Sequence, residues 1–221
     1  MQSTNNHPRH SVCITTRNDM PTVKQSLDAL LGMVDPSDTE VVVVDAESDD
    51  GQLDILRKYE LGGKIRLVVK KCNRGMGRQI AFEESKGDYI ISGVDTDDVL
   101  DSTFPELIRL YHSKFEGRVL KAGSAGTQPI TIAPRSVVAS IGGWRDLYWG
   151  EDYDFWKRAE KKGVYSEVPE TPVPSPVRRR RGVVHTAKVL WVYRSQGREP
   201  VLSWWWRPLW LLIVLVHRKQ T

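Results

Sequence analysis

Four consecutive valines occupy residues 41–44, a run that few folds can accommodate. β-Branched side chains favour extended backbone, and a strand without a polar face must be buried on both sides. That environment is typical of a parallel sheet between two layers of helices. An acidic loop, residues 45–51, follows the valines directly. The run therefore predicts a central strand of an α/β fold with polar groups at its C-terminal end.

Short β-type segments alternate with amphipathic windows along the chain. Strands are predicted at residues 11–15, 41–44, 65–69 and 88–94, with helices between them. The second part is less regular, with helices predicted at residues 103–115, 134–141 and 151–162, and strands at residues 119–121 and 130–133. This pattern predicts a Rossmann-like, mostly parallel sheet flanked by helices, with a smaller subregion after residue 100.

Composition supports a folded domain in a reducing compartment. The 221 residues are 40% hydrophobic and 27% charged, which argues against global disorder. Cys13 and Cys72 are too few for a disulfide framework, and residues 1–10 form a polar extension without the apolar segment of a signal peptide. We therefore expect a cytoplasmic protein.

Three carboxylates follow the predicted fourth strand. Asp95 and Asp97 lie two residues apart, so their side chains can point the same way, and Asp98 adds a third negative charge. Such charges repel each other unless a cation offsets them, and oxygen ligands suit Mg²⁺ or Mn²⁺. The alternative is an acidic turn in solvent, because a bare Asp-x-Asp is common by chance. Its position after an apolar strand favours the metal site.

Polar residues also follow the first two predicted strands, at residues 15–18 and 45–50. In open α/β sheets, ligands bind beyond the C-terminal ends of the strands. We therefore expect these two segments and residues 95–98 to form one site.

The order of the motifs resembles that of family 2 glycosyltransferases of the GT-A fold. The matching segments are Thr15-Thr16-Arg17-Asn18, Val43-Val44-Asp45-Ala46-Glu47-Ser48-Asp49-Asp50-Gly51, Asn73-Arg74-Gly75, Gly77-Arg78-Gln79, Gly87-Asp88-Tyr89-Ile90, Val94-Asp95-Thr96-Asp97-Asp98, Gly142-Gly143-Trp144 and Gly150-Glu151-Asp152. Any one match is weak, but the shared order and spacing over residues 11–165 make the resemblance specific. It implies a GT-A domain at residues 11–170, with a nucleotide-sugar half at residues 11–100 and an acceptor half at residues 101–170.

The resemblance also implies roles for individual residues. Donor-binding residues would be Thr15, Thr16, Arg17, Asn18, Asp45, Arg78 and Asp95. Asp97 and Asp98 would bind Mn²⁺ or Mg²⁺ at the diphosphate. Arg78 lies behind a glycine turn at a helix start, where a diphosphate is favoured, and the alternative is a salt bridge to a nearby carboxylate.

Asp152 matches the carboxylate that serves as catalytic base in inverting members of the family. The alternative is an acidic residue placed in a first helical turn by the helix dipole. Glu151 and the aromatic residues Trp144 and Trp149 are the candidate acceptor contacts, because aromatic faces stack on sugar rings; such residues also fill cores. With one base and no evident second nucleophile, the expected reaction is a single displacement with inversion.

Several positions depart from the family pattern. Ala46 and Glu47 replace Asp and Gly, and Arg17 replaces Tyr, which leaves the choice among uridine, guanosine and thymidine diphosphate sugars open. Gln196 stands where some relatives have a histidine. His185 is a candidate late metal ligand, although a lone histidine after a loop is more often not a ligand.

Residues 171–221 combine a proline- and arginine-rich loop with an apolar, Trp-rich end. Four arginines occupy residues 178–181, and the apolar run at residues 209–216 is far shorter than a spanning helix. Flanking tryptophans and basic residues are typical of an interfacial segment, and a helix packed on the core is the alternative. The interfacial interpretation predicts peripheral attachment to the cytoplasmic face of a membrane, with a sugar or a lipid-linked molecule as acceptor.

Two other functions are compatible with parts of the sequence. A nucleotide-sugar-binding protein or a nucleotidyltransferase could use a similar sheet, but a binder needs no base such as Asp152, and the glycine-rich phosphate loop of a nucleotidyltransferase is absent after Cys13. A nucleic-acid binder could use the four arginines, but the acidic strand ends would repel a phosphate backbone. We therefore expect no nucleic acid as partner.

Overall fold

The computed structural model describes residues 7–123 and 129–168, which form one seven-stranded sheet with helices on both faces. The strands are β1 His10–Thr16, β2 Thr39–Asp45, β3 Arg66–Val69, β4 Tyr89–Ser92, β5 Val119–Ala122, β6 Ile130–Pro134 and β7 Tyr165–Val168. The helices are α1 Met20–Leu31, α2 Gln52–Leu61, α3 Arg74–Glu84, α4 Thr103–Lys114, α5 Arg135–Ile141 and α6 Glu151–Lys161.

The strand order is β3-β2-β1-β4-β6-β5-β7. Strands β1 to β4 are mutually parallel, β6 is antiparallel to both of its neighbours, and β5 pairs parallel with β7. The predicted Rossmann-like, mostly parallel sheet is therefore confirmed. Both halves of the predicted domain contribute strands to this sheet. The sequence did not predict strand β7.

The four valines of β2 explain why the sheet needs two helical layers. Val41 and Val43 pack into a core formed with α1, α2 and α4, whereas Val42 and Val44 pack into a second core formed with α3, α5 and α6. All four are at most 3% exposed. Burying one valine side chain stabilises a fold by roughly 1.5–3 kcal/mol, so this strand is a major source of stability.

The polar N-terminal extension ends earlier than predicted. His10 is the first residue of β1 and is buried. Its ring nitrogens lie 2.7 Å from the Asp38 carboxylate and 2.9 Å from the His112 ring. The fold therefore includes His10, whereas the sequence reading began the domain at residue 11.

No helix within the described ranges is long and apolar enough to cross a bilayer. The proline- and arginine-rich loop and the apolar C-terminal segment lie outside these ranges, as does His185.

Candidate active site

The three polar strand ends meet at one edge of the sheet, as expected. The last residues of β1 and β2, Thr16 and Asp45, are paired in register, and β4 is the other neighbour of β1. The hydroxyl oxygens of Thr16 and Thr96 lie 2.6 Å apart and both approach the Asp19 carboxylate. A continuous hydrogen-bond network therefore joins the loops after β1 and β4.

The buried carboxylate of Asp45 is a hydrogen-bond acceptor within this network. Its carboxylate accepts hydrogen bonds from the Ser48 backbone N–H at 2.8 Å, the Ser48 hydroxyl at 2.7 Å and the Gln52 amide at 2.6 Å. The residue is fully buried. The protein's own groups thus surround the carboxylate, and its contact with a donor stays a prediction.

The segment at residues 15–18 divides into buried and accessible members. The Thr16 side chain is buried in the network, and its contact with a donor stays a prediction. Arg17 is exposed. Asn18 adopts a left-handed conformation at φ 58° and exchanges two hydrogen bonds with Asp49. Contacts of Thr15, Arg17 and Asn18 with a donor remain predictions.

The loop after β4 brings its three carboxylates together. Each of Asp95, Asp97 and Asp98 offers an oxygen within 4.8 Å of the others, and among the described residues this is the only such group of potential metal ligands. Asp97 and Asp98 are buried, and Asp95 is partly exposed. A compact set of oxygen ligands at the edge of the protein fits a hard divalent cation such as Mg²⁺ or Mn²⁺.

The turn into this loop requires a glycine. Gly93, directly after β4, has φ 85°, and a Cβ atom there would lie 2.2 Å from the carbonyl oxygen of Pro129. A side chain at this position would be both strained and too close to the neighbouring backbone.

Arg78 is buried among three carboxylates rather than exposed to solvent. Its guanidinium lies 2.9 Å from Asp152, 3.3 Å from Glu151 and 3.8 Å from Asp95, and the residue is 1% exposed. Burial by itself would lower the pKa of Arg78, but these carboxylates outweigh it and raise the pKa above its usual value. Arg78 is therefore charged and forms the salt bridges that were the alternative to a diphosphate contact.

Backbone amides at the start of α3 are bonded within the protein. The Met76 N–H donates to the side chain of the N-cap residue Asn73, and the Gly75 N–H donates to the Leu147 carbonyl. A Cβ atom on Gly75 would lie 2.2 Å from the carbonyl of Arg145, so this loop sits directly on the helix start. The binding of a diphosphate near this helix start stays a prediction.

Helix α6 begins with two buried carboxylates. Asp152 accepts a hydrogen bond from the Trp144 indole N–H at 2.9 Å and pairs with Arg78. Glu151 is 3% exposed and lies against Arg78 and Arg74. Its contact with an acceptor stays a prediction. Burial, together with the Asp152 charge, raises the pKa of Glu151, and the two arginines act against that rise.

The two tryptophans proposed as acceptor contacts have different environments. Trp144 is 3% exposed and stacks on Phe155 at 4.4 Å, so its ring packs in the core. Its contact with an acceptor stays a prediction. Trp149 is half-buried with the Arg74 guanidinium 5.0 Å from its ring centroid, and its contact with an acceptor stays a prediction.

Sequence reasoning missed the residues that organise these loops. Gln52, at the first position of α2, joins Thr16, Asp45 and Ser48 through its amide and accepts from the Asp19 N–H at 2.7 Å. A buried glutamine after an acidic loop gives no periodic signal, so only the fold shows its role.

The strand order, the acidic loop after β4 and the acidic start of α6 define a GT-A fold. Residues 11–121 match the family described as Glycosyl transferase family 2, and the chain belongs to that family. A comparison with curated protein sequences gives no match.

Solved glycosyltransferase structures share this fold. S. aureus TarS 1-349 in complex with UDP-GlcNAc has a TM-score of 0.65 and 20% identity over 84% of this chain and 64% of that one. The mannosyltransferase PcManGT from Pyrobaculum calidifontis, in complex with GDP-Man and Mn²⁺, has a TM-score of 0.66 and 18% identity over 91% of this chain and 68% of that one.

Glucosyl-3-phosphoglycerate synthase from Mycobacterium tuberculosis, in complex with Mn²⁺, UDP and phosphoglyceric acid, has a TM-score of 0.65 and 16% identity over 88% of this chain and 80% of that one. The chain thus spans less than two thirds of the TarS fragment that it matches.

Proposed function

We propose that the chain is an inverting, divalent-metal-dependent glycosyltransferase that moves a sugar from a nucleotide diphosphate to an acceptor hydroxyl. One observation carries the proposal: a single nitrogen of Arg78 lies between Asp152 at 2.9 Å and Asp95 at 3.8 Å. The candidate base and the candidate metal loop therefore both lie within 4 Å of one guanidinium nitrogen. A nucleotide-binding protein without turnover has no need of that arrangement.

Asp152 is the proposed catalytic base. As the acceptor oxygen forms its bond to the anomeric carbon, the bond from that carbon to the diphosphate breaks and its electron pair leaves with the diphosphate. The hydroxyl proton passes to the Asp152 carboxylate. Such general-base assistance typically contributes ~10²–10⁴-fold to the rate. One displacement at the anomeric carbon inverts its configuration.

Asp97 and Asp98 are the proposed metal ligands, with Asp95 beside them. A bound divalent cation would offset the negative charge that develops on the diphosphate leaving group. Two of the similar structures contain Mn²⁺ together with a nucleotide or nucleotide sugar, which supports this choice of cofactor. Mg²⁺ suits the same oxygen ligands.

The proposed donor is a nucleoside diphosphate sugar, because the similar structures hold UDP-GlcNAc, GDP-Man and UDP. The acceptor is either a sugar or a lipid-linked phosphate or glycan. The lipid-linked class, and attachment to the cytoplasmic face of a membrane, are supported by the arginines at residues 178–181 and the apolar run at residues 209–216.

The first test screens UDP, GDP and dTDP sugars by thermal shift with and without Mn²⁺ or Mg²⁺, then measures release of the nucleoside diphosphate and the anomeric configuration of the product. Asp152→Asn should bind the donor normally and lose at least about 10²-fold in turnover. Glu160→Gln removes a carboxylate on the same helix that pairs only at the surface with Lys157, and it should keep full turnover.

Retained turnover in Asp152→Asn would refute the assignment of the base. Donor binding without turnover in every variant would instead identify a nucleotide-sugar-binding protein, and retention of configuration would refute the single displacement.

A further inference from the structure

The indole N–H of Trp144 points at the proposed base. Its Nε1 lies 2.9 Å from Oδ1 of Asp152, and both side chains are buried at this contact. The ring is held in place by a parallel stack on Phe155, with centroids 4.4 Å apart and planes inclined by 8°. A hydrogen bond from a fixed indole to a carboxylate is directional and charge-assisted.

The second oxygen of the same carboxylate is held from another element. Oδ2 of Asp152 lies 2.9 Å from a guanidinium nitrogen of Arg78, on α3. Rotation of the carboxylate about its terminal torsion would break at least one of these two contacts. The Asp152 side chain is 11% exposed, so it is not sealed from solvent, and the two contacts together fix the orientation of its carboxylate.

The backbone of Trp144 is fixed by the neighbour of Arg78. The Trp144 N–H donates to Oε1 of Gln79 at 2.8 Å. Gly143 has φ 59°, and a Cβ atom there would lie 2.0 Å from the same oxygen, so the chain can approach Gln79 only because residue 143 is a glycine. Adjacent residues of α3 thus hold the base directly, through Arg78, and indirectly, through Gln79 and Trp144.

We propose that Trp144 is a positioning residue that orients the carboxylate of Asp152 for proton transfer. The proposal rests on the proposed function, since it assigns Trp144 to the base of that reaction. Proton transfer requires the acceptor hydroxyl to meet the carboxylate in a narrow range of distance and angle, and a carboxylate free to rotate spends less time in that range. A residue that only fills the core would need the ring but not its N–H.

Trp144→Phe tests this distinction, because it keeps an aromatic ring to stack on Phe155 and removes the N–H. The matched control is Trp156→Phe. Trp156 lies on α6, close to the site in sequence, and donates its indole N–H to Thr131 at the same distance of 2.9 Å, away from Asp152.

We expect Trp144→Phe to lower kcat about ten-fold, the effect of losing one hydrogen bond to a charged group. KM for the donor should change by less than about two-fold, since the lost contact acts on the proton transfer. Trp156→Phe should keep wild-type kcat. Wild-type kcat in Trp144→Phe, or an equal fall of kcat in both variants, would overturn the proposal.

Nuclear magnetic resonance of the indole protons tests the contact without any substrate. Trp144→Phe identifies the Trp144 resonance by its disappearance. In Asp152→Ala this resonance should move upfield and its proton should exchange with solvent faster, whereas the Trp156 resonance should stay in place. An unmoved Trp144 resonance would overturn the proposal. Failure of every variant to turn over any nucleotide sugar would count against the proposed function, and the resonance would still decide whether Asp152 holds the indole.

Discussion

Arg78→Met removes a buried guanidinium that lies 2.9 Å from Asp152, 3.3 Å from Glu151 and 3.8 Å from Asp95. Methionine fills a similar volume, so the change mainly removes the counter-charge of Asp152 and Asp95 and leaves Glu151 with Arg74 alone, 3.9 Å away. Removing one partner of a buried ion pair typically costs about 3–5 kcal/mol. For a chain of this size, that corresponds to a fall in melting temperature of about 6–20 °C.

The loss of unfolding free energy in Arg78→Met should increase as the pH rises. Burial already raises the pKa of Glu151, so its contribution to stability is present below the ordinary carboxyl pKa and is lost as pH rises through the folded-state pKa. Loss of Arg78 removes one of the two cations that oppose this rise. The difference in unfolding free energy between Arg78→Met and the wild type should therefore be larger at about pH 7.5 than at about pH 5.

Urea denaturation at both pH values measures this difference, with Arg145→Met as the matched control. Arg145 also pairs with a carboxylate, Asp154 at 3.4 Å, but its side chain is 61% exposed. An exposed pair contributes about 0–1 kcal/mol, so the control should be close to wild type at both pH values. Equal stability of Arg78→Met and Arg145→Met, or a deficit independent of pH, would refute the reasoning about buried charge.

Two further changes test the packing of the sheet. Gly77→Ala should destabilise the protein by about 1–3 kcal/mol, because the new Cβ atom would lie 2.3 Å from Cγ2 of Thr15. Gly62→Ala is the control and should be tolerated, since the nearest atom to its new Cβ would be 3.4 Å away. Equal melting temperatures of the two variants would contradict this prediction. Burial lowers the pKa of His10 in the folded state, so the unfolded chain takes up the proton first and stability should fall as pH drops below about 6.5. Urea midpoints between about pH 5 and pH 8 should show a shallower fall for His10→Gln, and an unchanged slope would exclude His10 as the cause.

The sequence predicted the parts of the fold that periodicity and topology determine. The valines at residues 41–44 required a strand buried on both faces, and the parallel order of β1, β2 and β4 then placed the acidic loops at one edge. Strand β7 escaped prediction because Tyr165–Val168 alternates weakly and none of its residues is fully buried.

Individual side chains of the site were harder to predict because residue type does not determine the direction of a side chain. Arg78, Glu151 and Trp144 have the chemistry of ligand-binding residues, but the structure buries all three. Their roles depend on the crossing of α3 and α6, which brings together residues more than 60 positions apart in sequence. No local pattern in the sequence records that crossing.

The network around Gln52 separates the buried frame of the loops after β1 and β2 from their exposed tips. Gln52, Asp45 and Thr16 bond to one another and are buried, whereas Arg17 and Glu47, at the tips of the same loops, are exposed. Exchanges at the two exposed positions therefore leave the internal frame intact. Descendants of this chain could acquire a new preference for a nucleotide through such exchanges, while the scaffold beneath keeps its shape.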